Sequence, residues 1–151
     1  MVKKVKSVKY FEAVGRRKLA VARVRLYLVN KEKFAMIGTE KIKAGEILVN
    51  HRPVEKFFTT VSDKIQYLTP FKLTKSEDRF ATSILIKGGG MIGQLTAVML
   101  GVSRALEKVD KEAYRPILKK AGLLTVDARA RERRKVGTGG KARRAKQSPK
   151  R

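Results

Sequence analysis

Three glycines, Gly88, Gly90 and Gly93, have the spacing with which a glycine-rich turn between a strand and a helix binds the phosphates of a dinucleotide. A dinucleotide-binding unit also needs a further parallel strand after the helix and an acidic residue about 20 positions on, which holds the ribose. Here Glu107 and Asp110 fall in or just beyond the predicted helix, and a second helix follows instead of a strand. A nucleotide-dependent enzyme is therefore kept only as a rival hypothesis.

The same glycines do not match the phosphate loop of nucleoside triphosphatases, because Gln94 and Leu95 stand where Lys and then Ser or Thr are required. They can form a tight turn between a strand and a helix. They can also open a helix start whose free N–H groups and positive dipole end meet a phosphate. The sequence leaves both interpretations open, and the two are compatible.

Other catalytic or metal-binding chemistry is scarce in this sequence. It contains no cysteine, which removes thiol catalysis and thiolate metal sites and fits a reducing compartment. The single histidine, His51, lies in a predicted turn with no Ser and carboxylate at a suggestive spacing. We therefore expect a protein that is not an enzyme and that has no cofactor, no metal and no small-molecule substrate.

The charge of the chain predicts a polyanionic partner. The 151 residues include 37 Lys and Arg against 13 Asp and Glu, a formal net charge of +24, whose self-repulsion is costly unless a partner neutralises it. We expect nucleic acid and not a membrane, because neither end forms a basic amphipathic helix and no apolar run approaches the roughly 18 residues of a membrane span. The first ten residues lack the apolar centre of a secretory signal, which favours the cytosol or, less so, an organelle matrix.

The basic residues concentrate at one end of the sequence. Residues 129–151 contain 11 basic side chains and one acidic one, and they lack aromatic residues. Such a segment cannot bury enough apolar area to offset the entropy of ordering, but fully extended it spans about 75 Å. The sequence therefore predicts a single domain over residues 1–128 and an extended basic tail over residues 129–151.

The domain is predicted to be α+β, with about four strands packed by helices. Residues 17–29 alternate, with Ala20, Val24 and Leu26 on one side and Arg23, Arg25 and Tyr27 on the other, which predicts a strand with one cationic face. Further strands are predicted near residues 8–14, 46–50 and 80–87.

Three helices are predicted, over residues 53–59, 92–109 and 111–121. Pro53 fits the first position of the first helix, and Gly122 fits a left-handed terminator of the last. The long helix has an apolar stripe that begins at Ile92. The opposite side carries small residues flanked by long polar ones, which suits close docking on RNA: Gln94, Ala97, Gly101, Arg104 and Lys108.

Several segments, taken in order along nearly the whole chain, resemble the family of the ninth small-subunit ribosomal protein of the bacterial type. Each segment alone is weak, but their order and spacing together are specific. They are Gly15-Arg16-Arg17-Lys18, Ala20-Val21-Ala22-Arg23-Val24, Gly88-Gly89-Gly90 with Gly93-Gln94, Leu123-Leu124-Thr125, Asp127-Ala128-Arg129, Glu132-Arg133-Arg134-Lys135, Lys141-Ala142-Arg143-Arg144 and Lys150-Arg151.

The resemblance implies a left-handed βαβ arrangement and a place in the head of the small subunit, against ribosomal RNA and neighbouring head proteins. It also implies that the tail reaches peptidyl-site tRNA, where Lys150 and Arg151 would contact the tRNA backbone. We expect contacts to ribosomal RNA from Arg16, Arg17, Lys18, Arg23, Gly88, Gly89, Gly90, Gln94, Arg104, Arg129, Arg133, Arg134, Lys135, Lys141, Arg143 and Arg144.

The sequence departs from the family pattern at three places. Gln147-Ser148-Pro149 stands where an aromatic residue usually precedes Ser-Lys-Arg, and Val126 replaces a common Arg. Residues 31–45 look like a lengthened hairpin that faces solvent or a neighbour. The main rival function is a free-standing architectural protein that coats duplex nucleic acid, since it needs the same charge.

Overall fold

A five-stranded mixed sheet and four helices form the protein in a computed structural model, which describes residues 9–29, 34–37, 40–131, 133–134 and 136. The strand order is β1-β2-β7-β5-β6, and β3 and β4 form a separate hairpin. The predicted α+β class is confirmed. The elements are β1 (Tyr10–Arg17), β2 (Ala20–Leu28), β3 (Phe34–Ile37), β4 (Glu40–Lys43), β5 (Ile47–Val49), β6 (Arg52–Pro53), α1 (Val54–Phe57), α2 (Val61–Leu73), β7 (Phe80–Lys87), α3 (Met91–Val109) and α4 (Lys111–Lys120).

The four predicted strands correspond to β1, β2, β5 and β7. The first three strands in sheet order, β1, β2 and β7, are antiparallel, whereas β5 pairs parallel to β7 after a crossover through α1 and α2. The short β6 strand, which the sequence did not predict, pairs with β5 across a turn at Asn50 and His51. Both turn residues have positive φ, 47° and 64°, as a tight hairpin turn of type I′ requires.

Helix α3 packs closely on β1 and β2 because glycines face each other there. A Cβ atom on Gly15 would lie 2.5 Å from the Gly101 nitrogen and closer still to the Ala97 carbonyl oxygen. One on Gly101 would lie 2.7 Å from a Val24 methyl group. The absence of side chains thus lets the helix backbone approach the backbone of the sheet.

This contact corrects two predictions about α3. Ala97 and Gly101 are buried against the sheet, so the face of small residues that was expected to dock on RNA docks on the protein instead. Ile92, expected in the buried stripe, is 82% exposed because it lies in the first turn of the helix. A stripe of small residues permits close packing on any backbone, and the sequence pattern did not identify which one.

The opposite face of the sheet is covered at one end by the β3–β4 hairpin. Tyr27, expected on an open cationic face, is buried there with Ala81 of β7 and with Ala35 and Ile42 of the hairpin. The predicted hairpin within residues 31–45 is therefore confirmed, and part of it packs on the sheet. Among the described residues, Arg16, Val21, Arg23 and Lys87 are exposed at the other end of this face, near the turn between β1 and β2.

The helix ends follow local capping chemistry. Pro53 occupies the N-cap of α1, one position before the expected one. Asp110 caps α4 by accepting a hydrogen bond from the Ala113 nitrogen at 3.0 Å. Gly122 has φ 72°, and the Leu123 nitrogen donates to the Leu118 carbonyl oxygen, which confirms the predicted left-handed terminator.

Among the described residues, no helix has the length and apolarity to span a membrane, and no group of acidic or histidine side chains could hold a metal.

The close approach of α3 to β1 predicts a large steric penalty at Gly15. We expect Gly15→Ala to lower the free energy of unfolding by about 3 kcal/mol, since backbone and not a flexible side chain blocks the new methyl group. Gly90→Ala is the matched control, because a Cβ there meets nothing within 4 Å, and it should cost less than about 0.5 kcal/mol. Urea denaturation of both variants measures the difference, and equal stabilities would contradict the packing.

Candidate nucleic-acid interface

The uncovered end of the sheet presents cations around an apolar centre. Residues in register on neighbouring strands share a face, and Arg16, Val21 and Lys87 form one row across β1, β2 and β7. In the next row, Arg23 lies between Val14 and Leu85. The side chains of Arg16, Val21, Arg23 and Lys87 are exposed, and these four residues are called the sheet surface below.

Lys87 was missed by the sequence prediction, although a signal for it existed. Side chains alternate between the two faces of a strand, so Lys87 lies on the same face of β7 as Ser83 and Leu85, which is the face away from α3. Its alignment with Val21 of β2 depends on strand pairing, which local patterning does not determine. The strand pairing therefore brings together cations from three strands, of which the sequence identified those on two.

The sheet surface ends at an ion pair. Arg25 Nε lies 2.5 Å from Glu12 Oε2, and the guanidinium lies 4.8 Å from the centre of the Tyr10 ring. The hydrogen bond to Glu12 raises the pKa of Arg25. Arg25 is thus neutralised within the protein, which separates the covered end of this face from the cationic end.

The glycine turn after β7 packs on the turn between β1 and β2. Gly88 and Gly89 have φ near 70°, and a Cβ on Gly88 would lie 2.5 Å from the Leu19 carbonyl oxygen. These two glycines confirm the tight-turn interpretation. Gly90 differs, because it is the N-cap of α3 without a side-chain cap and faces open space. Gln94 secures the turn by donating from Nε2 to the Gly88 carbonyl oxygen at 3.0 Å.

Two long cations of α3 donate hydrogen bonds to the backbone of β1. Arg104 donates to the Val14 carbonyl oxygen at 3.0 Å, and Lys108 donates to the Glu12 carbonyl oxygen at 2.7 Å. Arg104 is half-buried, so part of its donor capacity is used inside the protein. The helix therefore has fewer free cations for a ligand than its sequence indicated.

Arg16, Arg17 and Lys18 were all expected to contact ribosomal RNA. Arg16 and Arg17 belong to β1, and the turn consists of Lys18 and Leu19. Alternation along the strand points their side chains to opposite faces. Arg16 is exposed, whereas the Arg17 side chain is only 16% exposed. The expected cluster of three phosphate contacts is thereby divided between two sides of the sheet.

Arg17 contacts the segment where the predicted tail begins. Its Nη1 donates to the carbonyl oxygens of Asp127 at 3.3 Å and Arg129 at 2.7 Å, and its Nη2 lies 3.1 Å from Asp127 Oδ2. These contacts join residues 110 and 112 positions apart in the chain. These contacts could not be predicted from the sequence, because a pairing over such a distance leaves no local pattern.

Asp127 also binds Arg129. Arg129 Nε lies 3.0 Å from Oδ1 and its Nη2 lies 2.7 Å from Oδ2, while its backbone nitrogen donates to Oδ1 at 3.1 Å. These hydrogen bonds, and then the charges of Arg129 and Arg17, hold the pKa of Asp127 well below its ordinary value. The carboxylate is therefore charged at any physiological pH.

The remaining predicted contacts lie beyond this point. Arg133 and Arg134 are exposed. The other expected tail contacts lie outside the described residues: Lys135, Lys141, Arg143, Arg144, Lys150 and Arg151.

Comparison with known proteins assigns the chain to a family. Residues 15–151 match the family model described as ribosomal protein S9/S16. The chain belongs to the ribosomal protein S9/S16 family. This confirms the resemblance found in the sequence. Proteins of this family are ribosomal structural proteins and are not known as enzymes, so the rival interpretation of the glycine motif as a nucleotide-dependent active site is rejected.

Three bacterial relatives show how much of the chain the family covers, and each is called small ribosomal subunit protein uS9. The relative from Bifidobacterium animalis subsp. lactis is 45% identical over 137 residues, 91% of this chain and 75% of that protein. The one from Solidesulfovibrio magneticus is 43% identical over 134 residues, 89% of this chain and 92% of that protein. The one from Maridesulfovibrio salexigens is 45% identical over 128 residues, 85% of this chain and 87% of that protein.

The contacts of Asp127 predict how its carboxyl group titrates. Its pKa in the folded protein should lie below the ordinary value, so the stabilisation it provides is present above the unfolded pKa and is lost as the pH falls through the folded pKa. Arg129→Gln should raise this pKa toward the ordinary value, because Arg129 makes the largest contribution. Carboxyl ¹³C NMR titration of both proteins measures the change, and an identical pKa would contradict the geometry.

Proposed function

We propose that this protein is a structural constituent of the small ribosomal subunit and that it binds small-subunit ribosomal RNA in the head of the subunit. The observation that carries this proposal is the sheet surface, where exposed cations from three strands surround an apolar centre. Family membership supports the same function. The protein then acts in the cytoplasmic translation machinery beside neighbouring head proteins.

The sheet surface binds phosphates and the sugar edge of RNA in this proposal. Arg16, Arg23 and Lys87 supply charge-assisted hydrogen bonds, and Val21 excludes water between them. Such contacts give affinity and orientation and not base recognition. Lys18, exposed in the adjoining turn, extends the same surface toward the glycine turn.

The start of α3 is the second contact. Gly90 leaves the first turn of the helix open, and no acidic residue lies in that turn to repel a phosphate. Free N–H groups at a helix start bind anions readily. Gly88, Gly89 and Gln94 hold this turn in place, and Arg104 adds positive charge from the same helix.

Residues 129–151 form the third contact, as an extended basic tail on a domain of residues 1–128. Arg129, Arg133, Arg134, Lys135, Lys141, Arg143 and Arg144 follow RNA phosphates, and Lys150 and Arg151 contact the backbone of peptidyl-site tRNA. The tail adds formal charge of +10 and needs no core of its own. We also propose that the crossover from β5 to β7 is left-handed, as the family resemblance implies.

Neutralising two cations of the sheet surface should weaken RNA binding in a salt-dependent way. Each phosphate contact adds roughly 0.7 to 0.9 to the slope of log affinity against log salt, so Arg16→Gln with Arg23→Gln should reduce the slope by about 1.4 to 1.8. Filter binding to a head fragment of small-subunit ribosomal RNA measures this slope.

The matched control is Lys119→Gln with Lys120→Gln. This variant also removes two positive charges. Lys119 and Lys120 lie on α4, which packs on α3 and is therefore on the side of the sheet away from the sheet surface. Equal effects of the two double variants would contradict a localised surface. Equally tight binding of duplex DNA by the unmodified protein would favour the free-standing architectural binder.

Nested truncations separate the two roles of the tail. Deleting residues 129–151 should lower the salt slope of ribosomal RNA binding by about 0.7 to 0.9 for each phosphate that the tail binds, while every buried apolar residue described is retained. Removing Lys150 and Arg151 alone should weaken peptidyl-site tRNA binding by assembled subunits and leave subunit assembly unchanged. An unchanged slope would exclude the tail contact with ribosomal RNA, and unchanged tRNA affinity would exclude the tRNA contact.

A further inference from the structure

Arg17 makes contacts that a phosphate-binding residue does not need. Its guanidinium is directed at two backbone carbonyl oxygens and one carboxylate, all between residues 127 and 129. Its side chain is 16% exposed, against 86% for Arg129. The planar group donates from both terminal nitrogens, which a lysine ammonium on a flexible stem cannot reproduce in the same geometry.

The segment that leads to Arg17 is itself held by the core. After the left-handed turn at Gly122, Leu123 and Leu124 pack against the main hydrophobic core. The chain then reaches Asp127, where Arg17 binds it from the end of β1. Both flanks of residues 125–126 are therefore fixed to the domain, and the described residues that follow Arg129 are exposed.

We propose that Arg17, Asp127 and Arg129 form a latch that fixes where and in which direction the basic tail leaves the domain. Arg17 is then a positioning residue and not a phosphate contact. The proposal rests on the function proposed above for the tail, and it adds a reason why the chain places an arginine at residue 17 beside the exposed Arg16. The latch is built from protein contacts alone, so it forms before RNA binds.

A fixed exit point changes the affinity of the tail by lowering its conformational freedom before binding. Ordering one residue costs roughly 1–2 kcal/mol of conformational free energy, so ordering one tail residue in the free protein should strengthen RNA binding by about five- to thirtyfold. The number of phosphate contacts stays the same. Loss of the latch should therefore reduce affinity without changing the salt slope.

The latch is tested in the full chain with Arg17→Lys, which keeps the charge but not the planar donor group. The matched control is Arg52→Lys, because Arg52 is exposed on β6 and belongs neither to the latch nor to the proposed RNA contacts. The chain has no cysteine, so Ser62→Cys on α2 and Ala130→Cys after the latch give two unique sites for nitroxide labels. Pulsed electron paramagnetic resonance then measures the distance distribution between the two labels in the free protein. Unlabelled variants are measured for binding to the same ribosomal RNA fragment at several salt concentrations.

We expect a narrow distance distribution for the unmodified protein and for Arg52→Lys, and a broad one for Arg17→Lys. RNA affinity should fall by about five- to thirtyfold for Arg17→Lys, with an unchanged salt slope. Asp127→Asn is the second variant, in case Arg17→Lys does not fold, and it should also broaden the distribution. The same narrow distribution in all four proteins would overturn the latch.

The two proposals fail in different ways. If the unmodified protein shows no salt-dependent binding to ribosomal RNA, the proposed function is wrong, and the distance distributions still decide whether the latch exists. If binding is salt-dependent but the affinity of Arg17→Lys equals that of Arg52→Lys, the latch does not position the tail, and that proposal is overturned.

Discussion

The contact between α3 and β1 determines which surfaces of this protein are available to a partner. Gly15 and Gly101 allow the helix backbone to approach the sheet, so α3 covers β1 and β2 on that face. Helices α2 and α4 pack on α3, and all four helices are thus used in or around the core. On the other face, the β3–β4 hairpin covers one end, and the described residues of the sheet surface at the other end are exposed. A cationic surface can persist there because the core is complete without it.

Local patterns predicted the elements whose signals are contained within one segment. Alternation identified β2, a run of residues that favour strands identified β7, the long apolar stripe identified α3, and Gly122 marked the end of α4. The α+β class and the family followed from the same residues. Helix α2 was not predicted, because Pro70 lies inside it and its apolar residues do not form a clear stripe. Tertiary packing stabilises such a helix more than intrinsic propensity does.

The candidate site was predicted less completely than the fold, because strand register and distant contacts determine it. Arg16 and Arg23 could each be identified from the sequence as RNA contacts, but Lys87 joins them only through the pairing of β2 with β7. Arg16 and Arg17 are adjacent arginines in the sequence. Only the ion pair with Asp127 distinguishes Arg17 from Arg16. A sequence pattern indicates which residues are charged, whereas the fold decides which charges are already neutralised.

In the assembled subunit, the open end of the sheet should bind ribosomal RNA while Arg17 remains bound to the protein. A cryo-electron microscopy map of the small subunit that contains this chain tests this division of roles most directly. We expect RNA phosphates beside the side chains of Arg16, Arg23 and Lys87, with the Arg17 guanidinium still on Asp127. A sheet surface that faces solvent in the assembled subunit, or an Arg17 side chain on a phosphate, would contradict it.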